Sequence, residues 1–298
     1  MICLIICRSP KRAANSGADK PSGRMGEDKV TFSFGKNWQK FVERNFSDER
    51  VEVSRAHLLD FLGLPDLDGK YFLDIGCGSG IHSLAAIRSG ASRVVGIDVD
   101  PCSVETSRRI REMSGIPLAW EILHGSILDD AFVAKIDSAD IVYSWGVLHH
   151  TGDLWKAIRN AASLVREGGV FYVAIYEKTE KSDDWIVLKK RYNSASPIRK
   201  RAMELTYVYS HFLANRAPRY VLESIRYMKD YRKTRGMEFW TDIRDWLGGW
   251  PYEPATSAEM TGFCEGVLGL RTVKIKTGEA NIEYLFSRGR TSGSTECR

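Results

Sequence analysis

Paired cysteines are missing from this chain of 298 residues. Its six cysteines, Cys3, Cys7, Cys77, Cys102, Cys264 and Cys297, form no C-x-x-C pair. This excludes a readable zinc ribbon or disulfide framework and points to a reducing compartment. Cys3 and Cys7 lack the third cysteine that an iron–sulfur radical site needs. A long apolar run is missing as well: no segment nears the roughly 18 residues of a membrane span. The opening MICLIIC is short, and its positive charges follow it, the reverse of a secretory signal. A cytoplasmic protein is the expectation, with membrane contact only at the periphery.

What is present is ordinary for a globular chain. Hydrophobic residues make up 43% and charged residues 27%, enough for a sizeable core. Residues 1–29 are expected to form a disordered leader, rich in Pro, Ser, Gly, Lys and Arg, with Met25 available as a start. Residues 30–69 read as a helical cover. Ser47 precedes Asp48 and Glu49 as an N-cap, and Gly63 follows as a stop.

The most informative stretch is YFLDIGCGSG, Tyr71 to Gly80. An apolar run enters Asp74, then Gly76, Gly78 and Gly80 alternate with other residues. This reads as a buried strand, a tight turn and a helix N-terminus open to an anion or a close backbone contact. The spacing is G-x-G-x-G, not the G-x-G-x-x-G of a dinucleotide loop.

From residue 70 strands and helices alternate, with strands at 71–75, 93–98, 118–123, 140–145 and 170–176. This implies βαβ units and a parallel sheet. A helix at 257–267 precedes strands at 270–276 and 282–287. Their short turn forces an antiparallel pair, because a parallel pair needs a crossover of a dozen or more residues. The expected fold is therefore α/β: a seven-stranded sheet with its last strand antiparallel, helices on both faces, and a helical insertion before the last helix and hairpin.

With that layout, DIGCGSG (74–80), VVGIDVD (94–100), DIVYSWGVLHH (140–150) and LVREGGVFYVAIY (164–176) resemble the class I, Rossmann-like, S-adenosylmethionine (SAM)-dependent methyltransferases. The resemblance is strong over 70–176 and one of layout alone over 257–289. It implies a SAM-binding domain at 70–176 and 254–290. It also implies that Gly76, Gly78 and Gly80 cradle the methionine part of SAM, with Asp74 at its amino end. Asp98, 22 residues beyond Gly76, is the expected ribose carboxylate, and Asp100 the cap of the helix at Pro101. Where the family usually has an Asp contacting adenine, this chain has Ser126, with Ile127 beside it to pack on the base. The product would be S-adenosylhomocysteine, and no metal is expected.

The fourth strand runs into Ser144-Trp145-Gly146-Val147-Leu148-His149-His150, beyond the carboxyl ends of the strands where ligands lie. A hydroxyl acceptor benefits from a base, so His149 and His150 are the catalytic candidates, without a choice between them. His82 reads as a helix-surface residue. The N-P-P-Y and D-P-P-Y runs common in amide and adenine N-methyltransferases of this fold are absent, as is the acidic cluster of a magnesium-dependent catechol-type site.

Residues 177–253 form the expected substrate lid. Within it, 189–235 hold thirteen Lys or Arg against three Asp or Glu, a net of +10, while the whole chain is +5. Such a face suits an anionic acceptor or a peripheral contact with an anionic membrane; nucleic acid ranks last, for want of a recognised module. The following aromatic stretch suits the wall of a pocket for a ring or sugar. Trp145, Tyr176, Trp246, Trp250 and Tyr252 are the substrate-binding candidates. A similar aromatic tail occurs in bacterial ubiquinone-type O-methyltransferases. The expected function is O-methylation of a small quinone- or phenol-like molecule, or of a glycan. The alternatives are N-, C- or RNA methylation, and a non-catalytic regulator of the same fold.

Overall fold

The computed structural model describes residues 46–115, 120–214, 218–235, 239–278 and 281–290. The expected leader and residues 30–45 of the expected helical cover lie outside them. Helix α1 (Asp48–Leu62) begins after Ser47, whose side chain makes no capping bond, and ends on the left-handed Gly63.

Then come β1 (Tyr71–Ile75), α2 (Ile81–Arg88), β2 (Arg93–Asp98), α3 (Pro101–Ser114), β3 (Trp120–His124), the single turn α4 (Asp130–Val133), β4 (Ala139–Trp145), α5 (Leu154–Ser163) and β5 (Val165–Tyr176). After the insertion follow α10 (Ser257–Gly266), β6 (Leu270–Thr277) and β7 (Asn281–Arg288). The seven strands of the described residues form one sheet, β3-β2-β1-β4-β5-β7-β6. β1 to β5 are parallel, and β7 runs antiparallel to both β5 and β6. The expected layout and its reversed last strand are both observed.

Alternate residues of the strands enter two cores, as a period of two requires. One face buries Leu73, Ile75, Val142, Val173 and Tyr284 with α5 and α10. The other buries Phe72, Tyr143, Tyr172 and Leu285 with α1 and α2. The order places β1 beside β4, so the glycine turn and the His149–His150 segment leave neighbouring strands at the same edge.

The insertion comprises α6 (Ser182–Asn193), α7 (Pro197–Val208) with a π-turn at Tyr209–Leu213, α8 (Pro218–Arg235) and α9 (Phe239–Gly248). It has its own core of Tyr192, Tyr207, Val208, Phe212, Phe239, Ile243 and Leu247. Pro197 and Pro218 open their helices, where the missing N–H is harmless.

Candidate active site

The turn after β1 is set by backbone and glycine. The N–H groups of Gly76 and Cys77 both donate to the Ile97 carbonyl, at 2.8 and 3.0 Å. Gly80 has φ +80°, and a Cβ there would lie 2.7 Å from the Trp120 ring. A side chain is therefore excluded by conformation and by space.

Asp98 braces this turn. Its Oδ2 accepts from the Gly78 N–H at 2.9 Å, and its Oδ1 from the Asp100 N–H at 2.8 Å. The Val99 backbone bonds it as well, and a carboxylate has about four lone-pair sites, so one is left over for a hydroxyl. Burial raises its pKa, and the backbone donors oppose that shift. Asp100 accepts from the Cys102 N–H, as the expected helix cap. Asp74 is buried, and the Ser83 hydroxyl donates to it at 2.6 Å. Desolvation pushes Asp74 up to about 7, against that bond. The ring of His82 packs on Tyr143 at 5.3 Å, and its Nδ1 is buried without a hydrogen-bond partner. It is not the surface residue that the sequence suggested.

After β3, the Ser126 hydroxyl accepts from the Leu128 N–H at 3.1 Å. Ile127 is buried in the α5-side core. It is a core residue first, and Ser126 and Leu128 form the half-exposed rim of that turn.

After β4, Val147 lies over Gly76: a Cβ on that glycine would come within 2.4 Å of it. His149 is fully buried, and neither ring nitrogen has a hydrogen-bond partner. His150 Nδ1 faces the Pro251 carbonyl at 2.5 Å. A carbonyl only accepts, so this bond places the proton on Nδ1 and the lone pair on Nε2. The His149 ring lies 4.2 Å from His150 and 4.1 Å from Tyr176, which ends β5. Tyr176 in turn meets Trp246 and Tyr252, each at 5.6 Å. Two of the remaining candidates sit apart. Trp145 packs against the α1-side core, with its indole N–H buried and unpartnered. Trp250 lies under Lys190 at 5.2 Å.

The wall is tied to the sheet from both sides. The Glu253 N–H donates to the His149 carbonyl, the Gly152 N–H to the Glu253 carboxylate, and the Ala255 N–H to the Tyr176 carbonyl. On α6, Lys189 is only 1% exposed. Its ammonium donates to the Trp246 carbonyl and lies 5.1–5.9 Å from the rings of Tyr252, Trp246 and Trp185. Desolvation, then the neighbouring charges, Lys189 among them, hold His149 well below the usual imidazole range. Desolvation and Lys189 bring His150 down to about 3. Both rings are therefore neutral at pH 7.

Lys189 was missed in the sequence because it sits in a basic run. Its signal was spacing: Trp185, Lys189 and Tyr192 recur at i, i+4 and i+7, the buried stripe of α6. Glu283 was missed too. It bonds the Tyr172 hydroxyl and lies 3.4 Å from His57 of α1. Burial alone would raise its pKa, but these partners hold it down to about 2.

Residues 73–173 match a family profile described as "Methyltransferase domain". The chain is 33% identical over 133 residues to a ubiquinone biosynthesis O-methyltransferase of Methylobacterium sp. (strain 4-46), covering 45% of this chain and 51% of that protein. It is 32% identical over 133 residues to a ribosomal protein L11 methyltransferase of Tolumonas auensis, covering 45% of each. The chain thus spans about half the length of the curated relatives it matches. An O-methyltransferase family protein from Burkholderia thailandensis shares the fold, with a TM-score of 0.51 at 13% identity over 87% of this chain and 59% of that one. The resemblance to the class I SAM-dependent methyltransferases holds in both sequence and fold.

Proposed function

We propose that the protein uses this methyltransferase domain to move a methyl group from SAM to the hydroxyl oxygen of a small, ring-bearing acceptor of quinol or phenol type. One observation carries the reading. An unbroken wall of Tyr176, His149, His150, Trp246 and Tyr252 stands at the carboxyl ends of β4 and β5, beside the glycine turn. Such a wall holds a flat ring and excludes water.

The residues fit the cofactor. The glycines of the turn, all at positive φ, offer bare main chain to the methionine end, and Asp98 offers a carboxylate to the ribose hydroxyls. Bound there, SAM supplies an electrophilic methyl carbon on a sulfonium. The protein mainly has to align the acceptor oxygen and keep the site dry. Of the two histidines, the oriented His150 takes the acceptor's proton at Nε2.

Labelled methyl transfer tests the reading. With methyl-labelled SAM and a panel of phenols, sugars, amines, tRNA and ribosomal protein, label should enter a base-stable aryl ether. Label in an amine or in a macromolecule alone would refute it.

We also infer that α7 contacts an anionic bilayer. Ile198, Leu205 and Tyr209 fall on one helical stripe and are 83%, 50% and 62% exposed. Exposed Arg199 and Arg201 stand on the same helix. Apolar anchors beside cations suit the interface of an anionic membrane. Co-sedimentation with phosphatidylglycerol vesicles but not phosphatidylcholine ones, weakened by salt, is the expected result. Binding to RNA alone would contradict it.

A further inference from the structure

Three kinds of buried polar group meet at the aromatic wall. Both nitrogens of His149 are buried without a hydrogen-bond partner, and so is the indole N–H of Trp246. Native interiors rarely leave such groups unsatisfied, so each marks a place for a ligand or a water. Beside them stands the buried ammonium of Lys189, with the Tyr252, Trp246 and Trp185 rings around it. Tyr176 of β5, His150 and Tyr252 belong to the same wall, Asp242 and Asp245 lie on α9 with Trp246, and Glu253 follows Tyr252 in the chain. The Glu253 carboxylate accepts from the Gly152 N–H.

We propose that Lys189, with His149 and the Trp246 indole, forms an oxyanion site that selects acceptors whose oxygen ionises, so that a phenol is methylated as its phenolate. This deepens, and rests on, the methyltransferase reading above.

The physical argument is one of sign. A fixed positive charge in a poorly solvated site opposes any new positive charge and favours a negative one. Desolvation first, and this field after it, keep both imidazoles unprotonated. A neutral amine acceptor would become a cation on methylation, and the field opposes that product. A phenol loses its proton through His150 to solvent. The oxygen lone pair then forms the bond to the methyl carbon, the carbon–sulfur bond breaks with its pair on sulfur, and the products are an aryl ether and a neutral thioether. Weak imidazole bases suffice, because Lys189 makes the phenol more acidic. The rings contribute a flat seat, and the Trp246 N–H and a His149 N–H each supply a donor to the oxygen.

4-Nitrophenol tests this, because its phenolate absorbs visible light and reports its own ionisation. The full chain saturated with S-adenosylhomocysteine should bind the probe and lower its apparent pKa by at least one unit, about tenfold in the ionisation constant. Lys189→Met should abolish the shift, and Lys189→Arg should retain most of it. A purely structural lysine would move the melting temperature and leave the bound probe's titration unchanged. An unshifted titration in the wild type, an equal shift in Lys189→Met, or no binding of the probe overturns the proposal. Calorimetry of S-adenosylhomocysteine on the same samples separates the outcomes. If that binding is intact while the probe result is negative, the methyltransferase reading stands and the oxyanion site falls.

Discussion

Gly80 has no room for a methyl group. Its φ is +80°, and the rigid, fully buried Trp120 ring lies 2.7 Å from where a Cβ would sit, which leaves no inexpensive adjustment. A left-handed non-glycine costs about 1–2 kcal/mol, and overpacking a close-set interior about 1–3 kcal/mol more. Gly80→Ala should therefore lower stability by about 2–5 kcal/mol in urea unfolding and weaken cofactor binding with it. An unchanged midpoint would show that the turn relaxes. The turn itself was legible from its glycines, and Asp98 from its distance along the chain. Lys189 was hidden, because a charge count treats each lysine as solvated. Its burial follows from α6 packing on α9, which no local pattern states.

Among the elements, the insertion departs furthest from the sequence expectation. Residues 236–253 read as an aromatic wall, yet Phe239–Gly248 form helix α9. Its apolar side enters the insertion's own core, and Trp246 turns both to that core and to Tyr176. The buried Glu204 of α7 joins the pieces, accepting from Tyr192 at 2.8 Å, Arg201 at 2.9 Å and Arg244 at 3.4 Å. With this carboxylate satisfied from three elements, the outer stripe of α7 is free of structural duty. Leu205 shows it: three residues before Val208 and seven before Phe212, both buried, it is itself 50% exposed. Ile198→Asp with Leu205→Asp should therefore cut vesicle binding at least tenfold and leave S-adenosylhomocysteine affinity unchanged. Retained vesicle binding would move the contact elsewhere.

At the scale of the whole molecule, two halves of unequal legibility meet at one edge of the sheet. The parallel strands, their order and the antiparallel end follow from alternation and from one short turn, which is why the sheet was readable in advance. The aromatic wall depends on the strap 249–255 returning to His149, beyond β4, and to Tyr176 of β5 through backbone bonds, which leave no trace in residue type. No helix among the described residues is long and apolar enough to cross a membrane.

The central claim is that the turn at 76–80 and Asp98 hold SAM. Its most direct test is calorimetric titration with S-adenosylhomocysteine. The account predicts one site in the wild type and at least a tenfold loss in Asp98→Ala, since a charge-assisted bond of about 1.5–3 kcal/mol disappears. No binding by the wild type, or unchanged affinity in the variant, would contradict it.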